Sequence, residues 1–215
     1  MVIGARTDIT KQEVVSQELA TAIVLFFCDD DAISIHVLAS AASQILYDVC
    51  KHKGLTSVRD IWRDYVVEEH QKDWVNLMRQ AFEYFKHAKK DAFTELERFD
   101  PRSNEWVLFN ACVDYRSAYS MEKEPFVNSS YLTWFFATHE YIMRKDRPLA
   151  EIITTSQLFK ELREKSPEEQ RQWMAEMLRR TYEHLDQRPP VTGLRTDPLD
   201  IGLVDSTVRR IIEYT

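Results

Sequence analysis

Apolar residues recur along much of this chain at every third or fourth position, which is the period of an amphipathic α-helix. The first stripe follows Thr10 and Glu13, whose spacing matches a capping box, and it predicts a helix over about residues 10–27. The run Asp29-Asp30-Asp31 predicts the N-terminal cap of a second helix, and Gly54 predicts its end. The chain therefore begins with two helices in succession.

The helical period continues through most of the remaining sequence. Further helices are predicted to begin near Ser57, Lys72, Ser103 and Asn128, then after Pro148, and at Ser166. No glycine occurs between Gly54 and Gly193, and because tight β-hairpins depend on glycine at their turns, this absence favours helices over strands. The predicted fold class is all-α, a multi-helix bundle of about seven or eight helices.

The C-terminal end of the sequence has a different character. Proline occupies positions 189, 190 and 198, and the apolar period breaks from Arg188 onward. We therefore predict a helical bundle domain over residues 1–187 and an extended arm over residues 188–215, with a short helix after Ser206. We expect the arm to pack on its own domain or on a partner subunit of a homodimer, which would bury spare apolar surface.

Charge and cysteine content narrow the classes of function. A formal net charge of −7 over 215 residues argues against a protein that mainly grips a nucleic-acid backbone, so RNA is a less favoured partner. The three cysteines, Cys28, Cys50 and Cys112, are widely spaced in apolar surroundings and are predicted to be reduced, buried thiols. Because the sequence shows neither a signal-peptide pattern nor an apolar run of membrane-spanning length, we predict a cytoplasmic protein without a membrane partner.

The most distinctive polar cluster lies at the end of the fourth predicted helix. Glu83, His87 and Asp91 are spaced four residues apart and share one face if the helix continues that far. In one interpretation His87 is a general base oriented by Glu83 or Asp91, and Lys86 stabilises an anion. In the other, Lys86 and His87 offset the negative end of the helix dipole. The candidate catalytic residues are therefore Lys86, His87 and Glu83.

Three histidines fall on three different predicted helices, namely His36, His87 and His139. Helical bundles build metal sites from single ligands on facing helices, so these residues are weak candidates for a metal site. None has the spacing of a helix that supplies two ligands, and we predict no metal and no cofactor. For ligand binding, the candidates are His36, His87 and Asp91.

Three segments carry a resemblance to a known family. Residues 22–27, 30–38 and 84–91, the last reading Tyr-Phe-Lys-His-Ala-Lys-Lys-Asp, resemble a family of uncharacterised bacterial proteins. The likeness covers about residues 20–120 and implies an all-helical bacterial protein without an established activity. The sequence departs from the family pattern at Glu83, where asparagine is usual.

A Lys-His pair at the end of a central helix also makes the chain distantly similar to HEPN-type domains. The resemblance implies an RNase or RNA-associated partner, and the usual signature of these domains is arginine followed, after four to six residues, by histidine. Arg179 and His184 have four residues between them and fit this spacing, whereas Arg79 and His87 have seven.

These observations leave three functions open. The favoured one is a binding or interaction protein, with a groove around His36 and His87 that takes a protein or a small molecule. The second is an RNase or nucleotide-directed enzyme of HEPN type that uses His87 with Lys86, or Arg179 with His184. The third is a metal-binding helical bundle that resembles DinB-type proteins.

Overall fold

The computed structural model describes residues 8–28, 31–87, 92–97, 99–119, 124–139 and 156–185. Within these residues the chain forms helices and no strands, which confirms the all-α prediction. We number the helices in chain order as α1 (Lys11–Phe27), α2 (Ala32–His52), α3 (Val58–Asp64), α4 (Glu68–Lys86), α5 (Ser103–Ala118), α6 (Phe126–Thr138), α7 (Gln157–Glu164) and α8 (Pro167–His184). The predicted arm over residues 188–215, with its terminal helix, lies outside the described residues.

Local sequence signals set several of the helix ends. Thr10 and Glu13 form the predicted capping box, in which the Thr10 amide donates to Glu13 Oε2 at 2.7 Å and the Glu13 amide donates to Thr10 Oγ1 at 3.2 Å. Asp31 caps α2 by accepting from the amides of Ile33 and Ser34. Gly54 follows the end of α2 with φ of +69°, a conformation that side chains disfavour.

Two helices begin earlier than the sequence predicts. Helix α4 begins at Glu68 rather than near Lys72, after Val67, which makes no side-chain capping bond. Helix α6 begins at Phe126, directly after Pro125, rather than at Asn128. In both cases the first turn has no side-chain cap, so the sequence contains no capping residue that would mark it.

Helix α2 lies at the centre of the bundle, packed against α1 and α5. Small buried residues, Ala39 and Ala42 on α2 and Ala111 on α5, let the helix backbones approach closely. Larger apolar side chains fill the remaining space, and each contributes about 1.5–3 kcal/mol when fully buried. By its length and composition, α2 meets the criteria for a membrane-spanning helix, and its buried side chains belong to the hydrophobic core.

The remaining helices form two layers around this core. Helices α6 and α8 pack against α1, and α7 packs against α6. On the other side, α4 packs against α2, and the short helix α3 contacts α4 and α5. The α3–α4 pair therefore covers one face of α2 and α5, and the candidate site lies beneath it.

Asp114 of α5 fixes α3 in this position. Its buried carboxylate accepts a hydrogen bond from Ser57 Oγ at 2.6 Å and another from the Val58 amide at 2.8 Å. Ser57 is itself the N-terminal cap of α3. Burial raises the pKa of the Asp114 carboxyl, and these two hydrogen bonds act in the opposite direction.

Candidate functional site

A cleft of about 580 Å³ lies between α3, α4, α5 and the non-helical segment that precedes α5. Its walls are mostly apolar, and five of its lining side chains are aromatic: Trp62, Tyr65, Trp74, Phe99 and Trp106. A concave apolar surface of this volume, with a few polar groups at fixed positions, is typical of a small-molecule binding site.

One of the polar side chains that line the cleft is His36, which extends from α2. Only 3% of its surface is exposed, and its Nδ1 lies 2.8 Å from Asn104 Oδ1. The Asn104 amide nitrogen donates to the Ala32 carbonyl at 2.9 Å, so Asn104 Oδ1 is left to act as the acceptor for His36. His36 therefore carries its proton on Nδ1 and presents the lone pair of Nε2.

Nothing within the described residues binds His36 Nε2. Burial lowers the pKa of His36, while the Asn104 bond acts in the opposite direction. The imidazole is thus neutral at neutral pH, and Nε2 is a buried hydrogen-bond acceptor at the wall of an apolar cleft. A buried acceptor without a partner carries a free-energy cost, which a ligand with an N–H or O–H group removes.

The lowered pKa of His36 predicts a pH dependence of stability. The unfolded chain takes up a proton at His36 near pH 6.5, whereas the folded chain takes it up only at lower pH. The free energy of unfolding is therefore expected to fall as pH drops below about 6.5, by at most about 1.4 kcal/mol per pH unit from this group. Glu97 and Asp100 are the acidic groups among the described lining residues.

Urea unfolding of wild type and His36→Leu at several pH values between neutral and acidic measures this effect. The remaining titratable groups are common to both proteins, so the difference between the two curves isolates His36. We expect the wild type to lose stability faster than the variant as the pH falls. Parallel curves would contradict a depressed pKa at this position.

Ring contacts hold the walls of the cleft in place. His36 packs edge to face against Phe85 and Phe99, with ring centroids 5.8 and 5.3 Å away. Trp62 and Trp106 stand nearly perpendicular, at 87° and 6.4 Å, and Trp62 Nε1 donates to Asn110 Oδ1 at 3.1 Å. The Trp62 and Trp106 rings are therefore held in position before a ligand binds.

The polar cluster at the end of α4 lies elsewhere. Glu83 accepts from Arg79 at 2.8 Å and lies 3.7 Å from His87 Nε2, and the hydrogen bond from Arg79 lowers the pKa of the Glu83 carboxyl. Glu83 lines an open groove of about 690 Å³ that shares Leu77, Gln80 and Leu96 with the cleft but does not include His36. Lys86 lies over the Phe82 ring. His87 ends the helix with extended backbone and exposed side chain.

The structure therefore does not gather the predicted site residues at one place. Among them only His36 lines the cleft, and Asp91 lies outside the described residues. The segment around His87 contacts His36 through Phe85, which was not among the predicted site residues.

His139 also lies away from the cleft. It stacks on Phe135 at 4.3 Å and places Nε2 3.3 Å from Glu105 Oε2. In the described part of the chain, no group of three or more His, Cys, Asp or Glu side chains is arranged to hold a metal ion.

In the Arg179–His184 pair on α8, the arginine is engaged in ion pairs within its own helix. The Arg179 guanidinium binds the Glu176 carboxylate at 2.6 and 2.8 Å and also pairs with Glu183. Glu176 is buried and accepts from Arg180 as well. Arg179 therefore serves to neutralise a buried carboxylate.

Two of the three cysteines match the predicted buried, inert character, whereas Cys28 is only partly buried. Cys50 and Cys112 are buried, and burial raises the pKa of Cys50 to about 11 and raises the pKa of Cys112 well above its ordinary value. At neutral pH neither forms the thiolate that a nucleophile requires.

Several residues that line the cleft were absent from the predicted site, among them Trp62, Trp74 and Trp106. The prediction also missed Asn104, which binds His36. The tryptophans follow helical spacing and read as core residues, and nothing local marks them as the walls of a cleft. One signal was present: His36, Ser40 and Ser43, spaced four and three residues apart, form a polar line along helix α2.

Comparison of the chain with protein-family models, with curated proteins and with solved structures found no match.

Proposed function

We propose that this protein binds a small, largely hydrophobic molecule in the cleft beneath α3 and α4, and that His36 Nε2 accepts a hydrogen bond from it. The observation that carries this proposal is a neutral, buried imidazole that lines a cleft of about 580 Å³ and whose acceptor atom, Nε2, has no hydrogen-bond partner among the described residues. The proposal narrows the binding-protein hypothesis from a groove around two histidines to a site built on His36.

Three further features support a preformed site. Asn104 fixes the orientation and tautomer of His36, and Asn110 fixes the Trp62 ring. Asp114 holds α3 over the cleft. Because these groups are already in place, a ligand does not have to organise them at its own free-energy cost.

Fluorescence titration with N-phenylnaphthylamine tests the proposal. This neutral probe donates one N–H hydrogen bond, and its emission rises when it enters apolar surroundings. We expect saturable binding to the wild type, and affinity lower by at least about fivefold for His36→Leu, which removes the acceptor. His87→Ala is the matched control, since His87 is exposed and does not line the cleft, and we expect wild-type affinity.

A second variant keeps the test informative if His36→Leu folds poorly. Met78 lines the cleft and is 39% exposed, so Met78→Trp fills the cleft without disturbing the core. We expect this variant to fold and to lose probe binding although His36 is intact. Wild-type affinity in a folded Met78→Trp protein, or absence of binding to the wild type, would refute the proposal.

A further inference from the structure

A second pocket adjoins the cleft on the inner side of α4. It has a volume of about 50 Å³, enough for a carboxylate group, and it shares Trp74, Met78, Val107 and Asn110 with the cleft. Its polar lining comes from α2, α3, α4 and α5: Ser40, Ser43, Gln44, Arg59, Arg79 and Asn110. No acidic side chain is among its described lining residues.

Arg59 is the partly buried cation of this pocket. Its guanidinium donates to Gln44 Oε1 at 3.0 Å and to Ser43 Oγ at 3.5 Å, and it lies 4.5 Å from the Tyr47 ring centroid. All three partners are neutral.

Among the described residues, Arg59 forms no ion pair, because no carboxylate oxygen lies within 4.0 Å of its guanidinium nitrogens. Asp114 and Asp48 act on it only at longer range, and Asp114 uses its oxygens for Ser57 and Val58. Burial accordingly lowers the pKa of the Arg59 guanidinium. A desolvated cation without an anion is costly, and an anionic ligand group that reaches it removes that cost.

We infer that the ligand of the cleft is an amphipathic carboxylic acid, whose carboxylate binds Arg59 in the inner pocket while its hydrophobic body and a hydrogen-bond donor occupy the cleft and meet His36. This inference rests on the proposed function and specifies its ligand class. Two observations support the inference. The two pockets adjoin and share lining residues, and His36, Ser40 and Ser43 lie along one line of α2.

The geometry also sets the length and direction of the ligand. Ser43 follows His36 by seven positions, which corresponds to about 10 Å along a helix. Glu97 and Asp100 lie at the cleft and repel a carboxylate there, so the acid group points inward, toward Arg59. The second arginine of the pocket, Arg79, is already paired with Glu83.

Displacement of N-phenylnaphthylamine by three related compounds tests the inference. Indolebutyrate carries a carboxylate and an indole N–H donor. The amide of indolebutyrate lacks the negative charge. Indolebutyrate methylated at the indole nitrogen keeps the carboxylate but lacks the N–H donor. For the wild type we expect indolebutyrate to displace the probe at a concentration about tenfold lower than the amide. The N-methyl derivative is expected to bind several-fold more weakly than indolebutyrate because it cannot donate to His36.

Arg59→Gln should remove the preference for the acid over the amide while it still binds the neutral probe, which shows that the variant is folded. Arg63→Gln is the matched control, because Arg63 lies on the same helix, pairs with Asp60 and does not line either pocket. Its acid preference should equal that of the wild type.

The two proposals fail in different ways. If the neutral probe binds but the amide matches or exceeds the acid, or if Arg59→Gln keeps the full preference, the carboxylate inference is overturned and the proposed function stands. If the neutral probe does not bind the wild type, the proposed function itself fails.

Discussion

Replacing Asp114 with alanine is expected to lower the free energy of unfolding by about 3 kcal/mol and to weaken ligand binding in the same protein. The carboxylate is the acceptor for two buried donors, Ser57 Oγ and the Val58 amide. Each donor left without a partner costs about 1–3 kcal/mol, and relief from burying a charge returns only part of this. Urea unfolding followed by circular dichroism measures the change.

The effect on binding follows from the position of α3. This helix carries Trp62 and leads into Tyr65, two aromatic walls of the cleft, and Asp114 holds its first turn against α5. When that attachment is lost, the walls are no longer preorganised, and the affinity for N-phenylnaphthylamine should fall.

Asp64→Ala is the matched control for the loss of an acidic side chain. Asp64 lies on the same helix with 67% of its side chain exposed, and exposed ion pairs contribute little. We expect its stability to stay within about 0.5 kcal/mol of wild type. An Asp114→Ala protein as stable as Asp64→Ala would show that the buried carboxylate does not anchor α3.

The helices of this chain were predictable because their signals are local. The capping boxes at Thr10 and Ser166, the aspartate at the start of α2 and Gly54 at its end all act over a few residues. Where a helix begins without a capping side chain, as α4 does after Val67, the prediction started a turn late.

The candidate site was predictable only in part, because its contacts join residues far apart in sequence. His36 and Asn104 are 68 positions apart, and Trp62 and Asn110 are 48 apart. Sequence reasoning placed His36 on the α2 helix but also favoured His87, whose position depends on where α4 ends. Which face of α4 covers α2, and hence which residues line a cleft, is decided by packing and by no local pattern.

Replacing Phe135 with alanine is expected to lower the free energy of unfolding by about 4 kcal/mol, since a fully buried aromatic ring leaves a cavity that the core only partly closes. Phe135 stacks on Phe109 and on His139, each with centroids 4.3 Å away, and meets the edge of Trp106 at 5.2 Å. The same urea titration measures the loss.

Two further variants separate cavity formation from loss of an aromatic residue as such. Phe93→Ala removes a fully exposed ring and should leave stability within about 0.5 kcal/mol of wild type. Phe135→Leu keeps most of the volume and should cost less than half as much as Phe135→Ala. A loss below about 1 kcal/mol for Phe135→Ala would contradict the packing described for α5 and α6.

Phe135 also links the core to the cleft through Trp106, because the Trp106 ring contacts Phe135 and also lines the cleft. Under conditions where Phe135→Ala remains folded, its affinity for N-phenylnaphthylamine should therefore be reduced, although no atom of Phe135 reaches the probe. If affinity stays at the wild-type value while stability drops, the cleft is held by α3 and α4 alone. If both fall together, the aromatic core between α5 and α6 is the support on which the binding site depends.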